Sequence, residues 1–490
     1  MPYCEWVEES QGNIRTGVDA ASRATSFRVD DAQGTRMLTK WCCRSDWTIF
    51  ELKPLEGLCI CTTGLYVEDR DKDQELCESM GGVYHPDLIF GTTTHLIAEH
   101  SEGAKYIAAI AYGIPIVTVD WIVACLDAQV RQMTKSAEWE YMATLDPPKY
   151  PCVRRPEGGR KGRMDLDGRL DKPEWANAVW TDRFVDIEGP ARKPNPTLET
   201  RVKMMWDDEY LYVGAEMEEP RVWGTYTEKN TVMYHENDFE IFVDPDGSRH
   251  NYYEFEMNCL NTIWELVLHR PYKDGHSIDN PSNLTDIHSA VYIDGKPNDP
   301  SVVCKKWSVE VAIPLNEMVK FDEIRRRKVQ AGDTWRMNFS RVHYDLNVQD
   351  GQYVKVPNRR EYNFVWSPTG VIDIHRPEKW AYVVFLPSVA IDEPTWRNVC
   401  ASLDSDRAVE DLLQKIYYEQ REFHAAHSHY AATLAALCPD FEEPYVVSLE
   451  VADDKQSYIA KAIGSDGKPR SIRHDSKFLV DLHPVDVHGA

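Results

Sequence analysis

The sequence predicts a multidomain chain in which a small α/β domain with a parallel sheet precedes a large antiparallel β-sandwich with a C-terminal helix and hairpin. Three observations support this prediction. Short apolar runs alternate with helical stretches over residues 54–135. Runs with strand character recur between turns over residues 165–390. Apolar residues at helical spacing follow within residues 407–437.

The charge balance limits the classes of partner. The 490 residues include 55 Lys and Arg against 80 Asp and Glu, a formal charge of −25. A surface this acidic repels phosphate backbones, which argues against a broad nucleic-acid surface but leaves room for one local basic pocket.

Nothing in the sequence indicates secretion or a membrane. The first residues lack a basic segment followed by an apolar core, and no long apolar run follows. The 12 cysteines are scattered, without the spacing of a zinc site. We therefore expect reduced thiols and an intracellular location, nuclear or cytoplasmic.

Residues 1–50 mix Gly, Ser, Thr, Arg and Asp without a sustained period. This composition predicts a mobile leader with one short strand near residues 47–52.

Residues 54–135 contain the alternating signals of an α/β unit. We expect strands at 57–61, 83–89, 94–97 and 116–119, and helices at 69–80, 104–112 and 120–128. Strands that alternate with helices imply a parallel sheet covered on its faces.

This region resembles the BRCT repeat of checkpoint scaffold proteins. The residues that carry the resemblance are Thr63-Gly64, Gly81-Gly82, Thr94-His95-Leu96-Ile97, Lys105-Tyr106 and Trp121. The resemblance implies a core role for Trp121. It also implies that the Thr63 hydroxyl, the Gly64 amide and Lys105 hold a phosphate, with Arg70 as an additional basic group. These groups together suit the oxygens of one phosphate.

Plainer alternatives stay open for this site. Thr-Gly is a common turn, and Lys105 is also compatible with a solvated helix residue. Many BRCT repeats bind unmodified partners or work in tandem, and no second repeat is visible here. The expected partner is therefore a phosphorylated or unmodified protein.

Residues 146–164 are rich in Pro, Gly and Arg, which predicts a linker between domains. Its basic residues fit either a solubilising linker or a nuclear-import signal.

The strand-like runs of the large domain lie at residues 200–206, 211–216, 238–243, 252–257, 264–268, 307–313, 334–342, 362–366 and 381–385. Many short strands separated by turns predict an antiparallel sandwich. The polar insertion at 274–300 is expected to be a loop.

The large domain resembles the family 9 carbohydrate-binding modules. The carrying motifs are Leu166-Asp-Gly168, Trp206-Asp-Asp-Glu-Tyr-Leu-Tyr-Val213, Asn237-Asp-Phe-Glu-Ile-Phe-Val-Asp244, Tyr253-Glu-Phe-Glu256, Trp307-Ser-Val-Glu-Val-Ala-Ile-Pro314, Gly332-Asp-Thr-Trp-Arg-Met-Asn338 and Trp366-Ser-Pro-Thr-Gly370. Members of that family clamp a sugar between two tryptophans. The resemblance therefore implies a saccharide held by Trp223 and Trp366, with polar contacts from Glu256, Asn258 and Arg341.

Two features of this domain leave the ligand open. Where we expect an arginine on the return strand of the hairpin, the sequence reads Phe255-Glu256-Met257-Asn258. Family members also hold structural calcium, for which the candidates are Asp207, Asp244 and Asp246, although aspartates are common in turns without a metal.

An enzymatic function has little support. Glu240, Glu254 and Glu256 alternate on strands, and paired carboxylates cleave glycosides in some enzymes. Surface carboxylates are nevertheless expected in so acidic a chain, and no nucleophile elbow, HExxH motif or phosphate-binding glycine loop occurs.

Residues 391–490 form the predicted C-terminal extension. It has a helix over 407–437 and a hairpin from 446–451 and 458–463, both expected to pack on the sandwich. His424, His427 and His429 fit a polar helix face better than a metal site, because no partner ligand is evident.

The sequence therefore predicts a non-catalytic binding protein, with a BRCT module for a protein partner and a carbohydrate-binding-like sandwich. The alternative is a carbohydrate-binding protein of polysaccharide catabolism. In that case any enzymatic activity would be associated with O-glycosyl hydrolysis.

Overall fold

The computed structural model describes residues 13–16, 26–31, 34–42, 49–51, 55, 57–63, 74, 77–78, 81–98, 103–117, 141–156, 162–275, 277–279, 284–388, 390–437, 447–464, 467–480 and 484–487. The chain forms two compact units, Pro2–Glu140 and Tyr141–Ala490. Each is described by itself.

The first unit begins with a four-stranded antiparallel sheet. Its strands follow chain order: β1 (Asn13–Thr16), β2 (Ser26–Asp31), β3 (Gly34–Cys42) and β4 (Ile49–Glu51). Here the structure differs from the predicted mobile leader. Thr, Val, Phe and Trp in β2 and β3 favour extended backbone, and two residues suffice to join these strands.

A parallel sheet follows, as the sequence predicts. It contains β5 (Cys59–Thr63), β6 (Val83–Tyr84), β7 (His95–Ala98) and β8 (Ile116–Val117) in the order β6-β5-β7-β8. Helix α1 (Ala104–Tyr112) ends at Gly113, whose φ of 67° suits a left-handed cap. Of the helix expected at 69–80, the described positions 74, 77 and 78 are helical. The helix expected at 120–128 and Trp121 lie outside the described residues.

The sandwich part of the second unit has fifteen strands among the described residues. They are β9 (Lys149–Arg154), β10 (Val185–Asp186), β11 (Thr200–Trp206), β12 (Tyr210–Glu218), β13 (Asp238–Asp244), β14 (Tyr252–Asn258), β15 (Ile263–Arg270), β16 (Ser277–Asp279), β17 (His288–Asp294), β18 (Lys306–Pro314), β19 (Thr334–His343), β20 (Leu346–Gln349), β21 (Gln352–Lys355), β22 (Tyr362–Val365) and β23 (Ala381–Phe385). Short helices lie at Pro173–Trp175, Met233–His235, Tyr272–Asp274, α2 (Leu315–Met318), Val319–Phe321 and Pro377–Lys379.

Most of these strands belong to one folded sheet of order β16-β15-β14-β13-β19-β23-β9-β11-β12-β18-β17. The β13–β15 side and the β11–β12–β18 side share one apolar core. Ile241 and Phe255 come from the former, and Met204 and Val213 from the latter. This arrangement confirms the predicted sandwich. Its pairings are antiparallel except where β9 lies parallel to β11 and β23.

Strand β9 lies inside the segment that the sequence predicts as a linker. Tyr150, Cys152 and Val153 are buried, and the Tyr150 hydroxyl donates to the backbone oxygen of Val179. Pro151 lies within β9, although proline has no N–H group to donate to a neighbouring strand. The linker prediction is therefore wrong for 149–154, because this strand finds its partners far along the chain.

The insertion at 274–300 also departs from the predicted loop, since it contributes β16 and β17 to the two ends of the sheet order. Both strands are short or only partly buried. Edge strands of this kind carry a weak apolar pattern, which explains why the sequence did not show them.

The C-terminal extension forms a long helix and a second antiparallel sheet. Helix α3 (Glu393–His427) begins earlier than predicted, because the Asp392 side chain accepts a hydrogen bond from the Thr395 N–H and caps it. Its first half packs on the sandwich through Val399 and Leu403. The remaining elements are α4 (Leu434–Leu437), β24 (Val447–Val451), β25 (Tyr458–Ile463), β26 (Pro469–Arg473) and β27 (Phe478–Val480).

Among the described helices, none has the length and apolar character needed to cross a bilayer. The described cysteines 59, 61, 77, 152, 259, 304 and 400 are free thiols.

Candidate functional site

Strands β13, β14 and β15 bury side chains on both of their faces. Phe239, Ile241 and Val243 enter the sandwich core from one face of β13. Glu240 and Phe242 point to the opposite face, because side chains alternate along a strand. A cavity of about 200 Å³ lies over this second face.

The cavity combines a carboxylate floor with an aromatic rim. Its lining residues are Ile187, Tyr234, Glu240, Glu254, Glu256, Trp264, Leu266, Tyr272, Ser340, Val342, Glu361, Asn363, Ile372, Asp373, Ile374 and His375. None of these described lining residues is Lys or Arg.

The carboxylates of the floor sit on neighbouring strands. Glu240 on β13 is the cross-strand partner of Glu256 on β14, and Glu254 lies on the same face of β14 as Glu256. Asp238 lies two residues before Glu240 and is also buried. The sequence shows this alternation but predicts a solvated face, whereas the structure covers it.

Several carboxylate oxygens here have no hydrogen-bond donor among the described residues. They are Oε2 of Glu254, Oε2 of Glu256 and Oδ2 of Asp238, all buried. The other oxygen of Asp238 accepts a hydrogen bond from the Val342 N–H at 3.2 Å. Buried oxygens without donors are costly, so this cluster has a capacity for protons, hydroxyl groups or a cation.

Burial and mutual repulsion raise the proton affinity of these groups. Burial raises the pKa of Glu240 to about 7. Burial, and then the Glu240 charge, raises the pKa of Glu254 to about 8. The same two causes raise the pKa values of Glu256 and Asp238 well above the usual range.

Aromatic side chains form the rim. Tyr234 is 46% exposed and Tyr272 is 41% exposed. The Tyr234 ring lies 6.3 Å from the Trp264 ring, and the Tyr272 ring lies 4.3 Å from the His375 ring in an edge-on arrangement. Neither tyrosine stood out in the sequence, because no local pattern shows which loop aromatic reaches a cavity.

Of the five predicted saccharide residues, the structure places Glu256 in this cavity. Asn258 is buried and organises its own turn, accepting from the N–H groups of Leu260 and Thr262. Arg341 is buried, donating to Thr200 Oγ1 and to Glu219 Oε2 at 2.9 Å each. Both side chains therefore use their polar groups for hydrogen bonds within the fold.

The two predicted sugar-stacking tryptophans are also buried. Trp366 is 4% exposed and stacks on Phe339 at a centroid distance of 5.6 Å. Trp223 packs with an apolar cluster that includes Tyr344 and Tyr353. Neither residue lines the cavity, so neither offers it a ring face.

The three calcium candidates already have partners within the fold, and Asp244 and Asp246 share one turn. Asp246 accepts the N–H groups of Ser248 and Glu323, and Asp244 accepts that of Arg249. Asp207 pairs with Arg155 at 3.2 Å. Within the described residues, the group of three side chains with metal-binding geometry is instead Asp238, Glu240 and Glu256.

Two of the predicted phosphate residues, Thr63 and Lys105, lie near the start of α1 in the N-terminal unit. Lys105, in the first turn of α1, donates from Nζ to the Thr62 carbonyl at 3.2 Å and also to the Pro86 carbonyl. The Thr63 hydroxyl lies 3.8 Å from the position of a Cβ built on Gly103, the residue before α1. Gly64 and Arg70 lie outside the described residues.

Comparison with known protein families identifies two regions of the chain. Residues 58–121 match the family described as twin BRCT domain. Residues 166–329 match the family described as carbohydrate family 9 binding domain-like. These matches confirm both resemblances. The chain therefore carries two regions similar to binding modules, and neither match describes a catalytic domain.

Individual relatives cover only parts of the chain. A stretch of 93 residues is 30% identical to endo-1,4-beta-xylanase C of Paenibacillus barcinonensis, which is 19% of this chain and 8% of that enzyme. The chain thus spans a small fraction of that relative.

Solved structures similar to the chain fall into the same two groups. A family 9 carbohydrate-binding module from Caldicellulosiruptor kristjanssonii in complex with cellotriose is 17% identical over 49% of this chain and 94% of that chain, with a TM-score of 0.31. A carbohydrate-binding protein from Bacteroides uniformis is 15% identical over 49% of this chain and 100% of that chain, with a TM-score of 0.36. Rad4 BRCT1,2 in complex with a Crb2 phosphopeptide is 31% identical over 16% of this chain and 42% of that chain, with a TM-score of 0.15.

Proposed function

We propose that the chain is a non-catalytic protein with two binding modules, and that its N-terminal unit binds a phosphorylated segment of a partner protein. The observation that carries this proposal is that Thr63 and Lys105 both lie beside the start of α1. Lys105 Nζ bonds to the carbonyl of the residue that precedes Thr63.

The start of α1 is suited to an anion. Gly103 provides no side-chain cap, and the first turn contains no acidic residue. The free N–H groups and the helix dipole therefore favour a negative charge, next to one hydroxyl and one ammonium group. A phosphate would replace the neutral carbonyl acceptors of Lys105 by a charged acceptor, which gives stronger hydrogen bonds.

Binding to immobilised phosphothreonine and phosphoserine peptide libraries tests this proposal. We expect the full chain to bind them, the unphosphorylated libraries to fail, and Lys105→Met to lose at least about tenfold in affinity. Lys305→Met removes the same charge from an exposed position in the other unit and serves as the control. Equal binding by K105M and K305M contradicts the phosphate role, and equal binding of unphosphorylated peptides supports the unmodified partner instead.

For the second unit we propose saccharide binding at the cavity of β13, β14 and β15. The observation that favours it is the combination of two exposed rings, Tyr234 and Tyr272, above buried carboxylates. Rings stack on the apolar faces of sugars, and carboxyl groups pair with sugar hydroxyls. This placement replaces Trp223 and Trp366 by residues whose rings are accessible.

A glycan array followed by calorimetry on the full chain tests saccharide binding. Xylo-oligosaccharides are the first probes, since the matched relative is an endo-1,4-beta-xylanase. We expect Tyr234→Ala to weaken binding at least about tenfold and Tyr362→Ala, an exposed tyrosine outside the lining, to leave it unchanged. Binding that survives Y234A, or a blank array, contradicts this proposal. A positive array would favour the alternative role in polysaccharide catabolism.

The nuclear or cytoplasmic location stays a prediction. The described cysteines are free thiols, which agrees with a reducing compartment. Fluorescence microscopy of the tagged chain checks it, and a signal outside the cell contradicts it.

A further inference from the structure

Three carboxyl groups converge on one point: Glu240 and Glu256 line the cavity, and Asp238 lies two residues before Glu240. One oxygen from each of Asp238, Glu240 and Glu256 lies within 4.8 Å of the other two, and all three side chains are buried. The strand register fixes this arrangement: Asp238 and Glu240 share a face of β13, and Glu256 pairs with Glu240 from β14.

The spacing and the donor type suit calcium. Calcium lies about 2.3–2.6 Å from its oxygen ligands, so two of its ligands are separated by about 5 Å or less. All three donors are carboxylate oxygens, which favours a hard cation over zinc or copper. The adjoining cavity of about 200 Å³ has room for the water molecules that would complete a shell of six to eight ligands.

A fourth side chain independently points to a ligand. Glu254 does not belong to the converging group but lines the same cavity, and it is 4% exposed. Its Oε2 atom is buried and has no hydrogen-bond donor among the described residues. Leaving that oxygen without a donor is costly, so a proton or a ligand in the cavity would stabilise this carboxyl group.

Other buried carboxylates of this unit show how the chain normally neutralises such groups. Several have a cationic partner within 3 Å, whereas the carboxylates that line the cavity have no Lys or Arg among the described lining residues. The neutralised pairs are Glu219–Arg341, Glu265–Lys229, Glu310–Lys172 and Glu378–Lys273.

We propose that Asp238, Glu240 and Glu256 bind one calcium ion, with Glu254 beside the ion on the cavity wall. The site differs from the turn aspartates Asp207, Asp244 and Asp246. It does not depend on the proposed saccharide binding, because calcium binding is measured without any sugar.

Isothermal titration of the chelator-stripped full chain with CaCl₂ tests the proposal. We expect one ion per chain, with affinity reduced at least about tenfold in Glu256→Gln and in Glu240→Gln, since each loses one ligand charge. Both substitutions preserve side-chain shape, and circular dichroism verifies folding. Calcium should also raise the melting temperature of the wild type, and at the same calcium concentration it should raise that of E256Q less.

Two controls make the outcome decisive. Glu361→Gln alters a cavity residue outside the cluster and should bind calcium like the wild type. Asp246→Asn tests the turn aspartates and should also retain binding. If the wild type releases or absorbs no binding heat at millimolar CaCl₂, the proposal is overturned. The carboxyl groups are then neutralised by protons. Loss of binding in D246N with retention in E256Q overturns it in favour of the turn.

Discussion

Glu240 and Glu256 face each other across the β13–β14 pairing, and both carboxyl groups are buried. Like charges directly opposite on neighbouring strands destabilise a sheet, and burial increases the penalty of ionisation. The fold keeps this pair under a cover of loop residues, so it is the least expected relationship in the second unit.

The pH dependence of stability follows from Glu240 and from Glu254, which lies on the same face of β14 as Glu256. Glu240 and Glu254 have folded-state pKa values of about 7 and about 8, above the ordinary value of 4.5. The folded state therefore holds more protons than the unfolded state between these values. The stabilisation is complete below about pH 4.5 and is lost as the pH rises through 7 and 8.

In chelator, we expect the free energy of unfolding to fall by on the order of 3 kcal/mol between pH 5 and pH 8. Urea denaturation at intermediate pH values measures the slope. Glu256→Gln should flatten it, while Glu393→Gln, in an exposed helix turn, should not. A stability that increases with pH in the wild type contradicts the assignment.

Arg341 is expected to serve stability rather than ligand recognition. Arg341→Met leaves Glu219 buried without its guanidinium partner, which should cost about 3–5 kcal/mol in urea denaturation. The exposed pair of Arg359 and Asp345 supplies the control, since Arg359→Met should cost about 1 kcal/mol or less. Comparable losses in the two variants contradict this view of Arg341.

Substitution of Trp366 and of Tyr234 should distinguish a residue that packs in the core from one that contacts a ligand. Trp366→Ala removes a ring packed on Phe339 and should destabilise the unit by about 3–5 kcal/mol. Tyr234→Ala removes a half-exposed ring and should cost about 1 kcal/mol or less. Thermal or urea unfolding of both variants is the measurement, and the reverse ranking would place Trp366 at the surface.

Gly168 explains why the Leu166-Asp-Gly168 motif is needed structurally. The Glu310 carboxylate accepts the N–H groups of Asp167 and Gly168, and Ser308 donates to the Gly168 carbonyl. A Cβ at Gly168 would lie 2.2 Å from the Tyr292 nitrogen, at a φ of 79°.

Gly168→Ala should therefore cost roughly 2 kcal/mol more than Gly467→Ala, measured by urea denaturation. Gly467 has a similar φ of 76° but open space around its Cβ position. The difference between the two variants isolates the steric contact from the backbone strain, and equal losses contradict it.

The sequence by itself determined the order of the modules and most of the strands. Side-chain alternation in stretches such as 238–243 and 252–257 is a local property, so it is visible without knowledge of distant partners. The strand and helix alternation of 54–135 likewise predicted the parallel sheet.

Only the tertiary structure decided which side chains are accessible. Trp223 and Trp366 are the residues that the family pattern favours for sugar contact, yet their neighbours along the fold bury them. Tyr234 and Tyr272 carry no local signal, and they reach the cavity because the short helices Met233–His235 and Tyr272–Asp274 border it. Strand β9 was hidden for the same reason, since it pairs with β11 and β23 rather than with a sequence neighbour. Alternation placed Glu240, Glu254 and Glu256 on one face of the sheet, but burial of that face depends on contacts between segments far apart in the chain.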